Sequence, residues 1–143
     1  MKFFAAIITL IAATVVKADQ PTWTSCNSTA DLTVSSFSVD PYPLCVGKNV
    51  CATIVGTLSA PITAPSTLSI VGTYFGVTIY KQFVDLCALV SCPVAQNTTT
   101  LEVCFPFLST IPTGIPFVYT FSAANGNEDS LFCQTATVIF TTC

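Results

Sequence analysis

The residues of this chain best placed to do chemistry are eight cysteines: Cys26, Cys45, Cys51, Cys87, Cys92, Cys104, Cys133 and Cys143. Their even number and two tight spacings, Cys45/Cys51 and Cys87/Cys92, read as a disulfide framework made in an oxidising compartment. Histidine is absent, and all four basic residues are lysines, so there is no arginine either. That removes most routes to general acid–base, triad or zinc chemistry at neutral pH. Serine and aspartate are present, but no base stands ready and no G-x-S-x-G occurs. No catalytic residue, metal ligand set or cofactor motif is assigned. The sequence describes a protein that works by shape and binding rather than by bond chemistry.

The elements that must carry these cysteines begin after an apolar start. Met1-Lys2 is followed by an unbroken apolar or small-residue run from Phe3 to Val16. A run of that length falls short of the about 20 residues a membrane span needs. Val16-Lys17-Ala18 offers small residues for cleavage, so residues 1–18 are expected to be a secretory signal peptide and residues 19–143 a single mature domain. Beyond residue 18 only Lys48 and Lys81 remain against seven carboxylates, a net charge of −5 (two minus seven). Nucleic acid is excluded as a partner, because neutralising phosphates takes clustered Lys and Arg. A polybasic grip on anionic membranes is excluded on the same grounds.

Charged residues make up only 8% of the chain, about a third of ordinary usage. Hydroxyl residues alternating with aromatic and β-branched ones supply strand material instead. Asn27-Ser28-Thr29 and Asn97-Thr98-Thr99 are glycosylation sequons, and a glycan at Asn27 or Asn97 would supply solubility that charge does not. Seven strands are expected, at Leu32–Asp40, Val50–Leu58, Thr67–Tyr74, Phe75–Phe83, Thr99–Phe105, Pro116–Ala124 and Leu131–Thr141. Prolines and glycines punctuate them, Gly72 and Gly76 mark bends or bulges, and Asn125-Gly126-Asn127 turns the last two into a hairpin. No segment has a helical period. The pattern is all-β, a sandwich of two antiparallel sheets.

In the last hairpin Phe117, Tyr119 and Phe121 share one face, and Val118 and Thr120 the other. So many inward aromatics either thicken a core or line a cavity, and composition alone favours the thick core.

Four segments carry a resemblance to a known family. They are Ser38-Val39-Asp40-Pro41-Tyr42-Pro43-Leu44-Cys45 with Cys51; Gly76-Val77-Thr78-Ile79-Tyr80 leading to Asp85-Leu86-Cys87 and Cys92-Pro93-Val94; Phe105-Pro106-Phe107 with Ile111-Pro112; and Glu128-Asp129-Ser130-Leu131-Phe132-Cys133. In this order and spacing the chain resembles the ML-domain lipid-recognition family, most of all its Niemann–Pick type C sterol-carrier and phosphatidylglycerol/phosphatidylinositol-transfer branches. The resemblance implies an immunoglobulin-like β-sandwich with a lipid cavity between its sheets. It also implies the pairs Cys26–Cys133, Cys45–Cys51 and Cys87–Cys92, leaving Cys104 with Cys143. Such cross-links would hold together two sheets that a lipid keeps from interdigitating.

Carried over by position, Ile79, Phe107 and Ile111 fall where the family has pocket and entrance residues, with Val77, Phe105 and Pro112 as their neighbours. Phe117, Tyr119 and Phe121 join them from the alternation in this sequence. Lys81 stands near that entrance, as a solvated cation or a partner for an anionic headgroup. The function implied is binding and intermembrane transfer of phospholipid or sterol by a monomer touching membranes transiently, secreted or in the endolysosomal lumen. The alternative is a secreted adhesion or effector sandwich without a lipid.

Overall fold

A computed structural model describes residues 19–27 and 29–143; the expected signal peptide and Ser28 lie outside the described residues. The elements are β1 (Thr24–Ser25), β2 (Leu32–Asp40), β3 (Leu44–Cys45), β4 (Asn49–Leu58), β5 (Thr67–Tyr74), β6 (Val77–Asp85), α1 (Leu86–Leu89), β7 (Thr100–Pro106), β8 (Pro116–Ala124) and β9 (Ser130–Thr141). The seven long strands are those expected from sequence, three of them to the residue. The two-residue β1 and β3 and the single helical turn α1 are additions too short to leave a periodic signal. In α1 the Asp85 side chain caps the turn by accepting from the Cys87 N–H at 3.0 Å.

Two sheets face each other. The larger runs β1-β9-β8-β5-β6, with β3 lying parallel beside β9; the smaller runs β2-β4-β7. Alternation aims one side of each long strand inward. Val50, Ala52 and Ile54 of β4, and Leu101, Val103 and Phe105 of β7, thus meet Leu68 and Ile70 of β5, Phe117, Tyr119 and Phe121 of β8, and Val138 and Phe140 of β9, all buried. The β8–β9 turn is fixed by Asn125. Its Oδ1 accepts from the Thr63 N–H at 2.9 Å and its Nδ2 donates to the Pro61 carbonyl at 2.9 Å.

All eight cysteines are described and all are paired. Cys26–Cys133 and Cys87–Cys92 join as expected. The other two pairings are corrected: Cys45 bonds Cys143, and Cys51 bonds Cys104. The reason is topological. Between Cys45 and Cys51 the chain leaves the larger sheet at β3 and enters the smaller one at β4, so proximity in sequence becomes separation in space. Cys51 and Cys104 are direct cross-strand partners on the outer face of the β4–β7 pair, and Cys45 lies opposite Thr141, two residues from Cys143. The expected bracing of one sheet against the other is also overturned. Three bonds join neighbours within one sheet or at its end, and Cys87–Cys92 closes a local loop.

Candidate functional site

The space between the sheets is aromatic. Phe107, in the segment following β7, packs on Phe140 with ring centroids 4.9 Å apart, on Phe105 at 5.3 Å and on Tyr80 at 6.0 Å. Tyr119 lies beside Phe140 at 5.1 Å and Tyr80 at 5.9 Å. Ile111 is buried with them. These side chains fill the gap. A cavity of about 10 Å³ lies at the far end beside Leu58, Ile62 and Leu101, too small for an acyl chain.

On one side the gap ends at a seam between β6 and β7, the edge strands of the two sheets, which do not pair with each other. Side chains close it. The Tyr80 hydroxyl donates to Gln82 Oε1, and Gln82 Nε2 reaches the Pro106 carbonyl across the seam at 3.5 Å, the long limit of a hydrogen bond. Burial pushes the Tyr80 phenol above its ordinary range, partly offset by the Leu108 backbone N–H beside it. Burial, and secondarily the neighbouring Tyr80, raises Tyr119 much further, so its hydroxyl stays protonated throughout the physiological range.

Of the residues singled out in the sequence, Phe105, Phe107, Ile111, Phe117, Tyr119 and Phe121 come together in this interior. Val77 and Ile79 do not join them. They are 65% and 42% exposed, on β6 just after the β5–β6 turn. Pro112 is exposed on the loop beyond Ile111. Lys81 points outward, its Nζ 4.8 Å from the Phe83 ring centroid, a cation–π contact on the exposed face. At the turn itself Phe75 is 89% exposed with φ of 47°, followed by Gly76 at 78°. A left-handed aromatic at a hairpin tip is uncommon, and it leaves Tyr74, Phe75 and Val77 as an uncharged apolar knob. Asn97 is exposed in a turn. Asn27 is half-buried, and its Nδ2 donates to Ser130 Oγ at 2.6 Å.

Tyr80, Gln82 and Phe140 complete the site without having been singled out for it, and Gly72, expected only as a bend, joins them. Phe140 was legible from the alternation of β9. Gly72 and Tyr80 needed the register, which sets Gly72 opposite Tyr80 on one side and Tyr119 on the other. The grouping of Cys51, Glu102 and Cys104 has both sulfurs consumed in a disulfide.

A two-sheet, disulfide-bonded sandwich with an aromatic interior and an unpaired seam defines the class. The E1_DerP2_DerF2 ML-domain family model matches residues 20–140, and the chain belongs to the ML-domain family. Similar solved structures are a Niemann-Pick type C2 protein from Japanese carpenter ant (TM-score 0.63, 12% identity, 84% of this chain and 99% of that one) and chicken MD-1 complexed with lipid IVa (TM-score 0.60, 17% identity, 82% and 86%). The C-terminal domain of wzt shares the fold at TM-score 0.58 and 9% identity, over 86% of this chain and 79% of that one. No curated protein matches the sequence.

Proposed function

We propose that this protein binds a lipid between its two sheets and carries it between membranes, as a secreted or endolysosomal monomer. The observation that carries the reading is the membership of residues 20–140 in the ML-domain family, coupled to an interior of large apolar side chains that no disulfide crosses. A structural relative, chicken MD-1, is complexed with lipid IVa. Entry would part the seam at Tyr80, Gln82 and Phe107 and displace the aromatic cluster, with Ile111 and Phe105 as further wall. Phospholipid, of the phosphatidylglycerol or phosphatidylinositol kind, or sterol is the ligand proposed.

No bond chemistry is needed. Each methylene kept from water is worth about 0.8 kcal/mol, so a lipid leaves a bilayer slowly unless protein replaces membrane around its chains. The knob at Tyr74, Phe75 and Val77 supports transient membrane contact, since it offers apolar side chains without a charge. An exposed Asn97 sequon fits a glycosylated secretory protein better than the half-buried Asn27 does.

The closed gap favours a second reading, an adhesion or effector sandwich whose aromatics are simply core. Native mass spectrometry of the secreted protein, followed by lipid extraction, separates the two. One bound lipid per chain is expected. A protein that stays unliganded after incubation with phosphatidylglycerol, phosphatidylinositol and sterol vesicles belongs to the second class.

A further inference from the structure

Tyr119 is 0% exposed, and its hydroxyl has no hydrogen-bond partner among the described residues. A buried donor left unmade is costly, and phenylalanine would fill the same space without it. The fold nevertheless makes room for this side chain. Its ring crosses the backbone of β5 at Gly72, where a Cβ would lie 2.8 Å from Tyr119 Cζ and 3.0 Å from its hydroxyl oxygen. The hydroxyl is thereby carried over β5 toward Tyr80 and the seam. Tyr80, by contrast, is committed to Gln82 and faces the Leu108 N–H.

We infer that the Tyr119 hydroxyl is the hydrogen-bond donor for the ester carbonyl of an acyl lipid seated in the gap. The inference rests on the lipid-carrier reading and narrows it. Tyr119 lies one side chain inside the seam closed by Tyr80, Gln82 and Pro106. A glycerolipid whose headgroup stays outside that seam brings its ester carbonyls to this depth, at the junction between polar head and apolar chains. A carbonyl is an acceptor only, and so matches a hydroxyl held protonated. Deeper in, the lining offers Phe105, Phe121 and Phe140, which suit only hydrocarbon. Tyr119 is thus a specificity-determining residue that selects ester-linked chains.

The probes are diester and diether phosphatidylglycerols of equal chain length, which differ in the carbonyl. Binding to the purified, disulfide-intact protein and to Tyr119→Phe is measured by titration, with thermal unfolding of both unloaded proteins alongside. The wild type should prefer the diester about tenfold, equivalent to about 1.4 kcal/mol. Tyr119→Phe should bind both lipids alike, at the affinity the wild type has for the diether, and should melt no lower than the wild type when unloaded. A preference that survives in Tyr119→Phe, or a wild type that binds both equally, overturns the assignment. A wild type that takes up neither lipid overturns this inference, and the carrier reading itself falls only if phosphatidylinositol and sterol are refused as well.

Discussion

Gly72→Ala is the sharpest probe of how the interior is built. The new methyl would sit 2.8 Å from both Cε2 and Cζ of Tyr119, closer than carbon atoms approach without something moving. Tyr119 has little freedom to move, because Tyr80, Phe107, Phe121 and Phe140 surround its ring at centroid distances of 5.1 to 6.4 Å. Overpacking of this kind costs about 1–3 kcal/mol, set against a gain of roughly 0.5–1 kcal/mol from replacing glycine within a strand. The net loss should centre on about 1 kcal/mol, a fall of roughly 4 °C in Tm for a domain of this size. The decisive comparison is a double-mutant cycle with Tyr119→Leu, followed by circular dichroism under non-reducing conditions. With the ring gone, the methyl of Gly72→Ala enters vacated space and should be neutral or stabilising. If Gly72→Ala costs the same in both backgrounds, Tyr119 does not lie over β5 and the packing described for the gap is wrong.

Non-reducing peptide mapping should recover Cys51 linked to Cys104 and Cys45 linked to Cys143; a Cys45–Cys51 peptide would restore the pairing expected from the resemblance. Removing the Cys51–Cys104 bond by Cys51→Ala/Cys104→Ala opens a loop spanning 53 residues of separation and should cost about 4 kcal/mol in the chain-entropy model, read by urea unfolding. Raising salt at neutral pH should speed lipid transfer from anionic vesicles or leave it unchanged, because the seven carboxylates repel such a surface and screening weakens the repulsion; strong salt inhibition would point to an attractive patch at Lys48 and Lys81. Alkaline stability should fall above about pH 10, where tyrosines of the unfolded chain ionise, because the raised folded pKa values of Tyr119 and Tyr80 favour the protonated form. Tyr119→Phe should flatten that fall in a pH series of urea unfolding, and an unchanged slope would contradict the assignment.

The strands were legible because each announced itself twice, by alternation within and by proline or glycine at its ends; β2, β5 and β8 keep the boundaries the sequence suggests. The inward face of β8 was equally plain, since Phe117, Tyr119 and Phe121 alternate with the exposed Val118. The pairing of Cys45 and Cys51 was not, because a crossing from one sheet to the other leaves no mark on residue spacing. Ile79 and Val77 illustrate a related limit. Position in a family motif set them near the gap, but the register shift between Gly72 and Thr73 beside them and the edge position of β6 decide which way they point. Gly72 was visible as a bend, whereas its partnership with Tyr119 and Tyr80 depended on strand order.

The layout of the four disulfides makes the molecule unequally stiff in different directions. Within the plane of each sheet, ladder hydrogen bonds and covalent bonds resist deformation together. Perpendicular to the sheets, resistance comes from dispersion between aromatic faces, the connecting loops and a few hydrogen bonds at the edges, such as Gln82 to Pro106 and Asp31 to Ser130. An occupant that thickens the sandwich therefore leaves every cystine at its resting geometry, and the two plates move apart without bending. Reduction would soften the plates and leave the spacing between them governed by the same aromatic contacts as before.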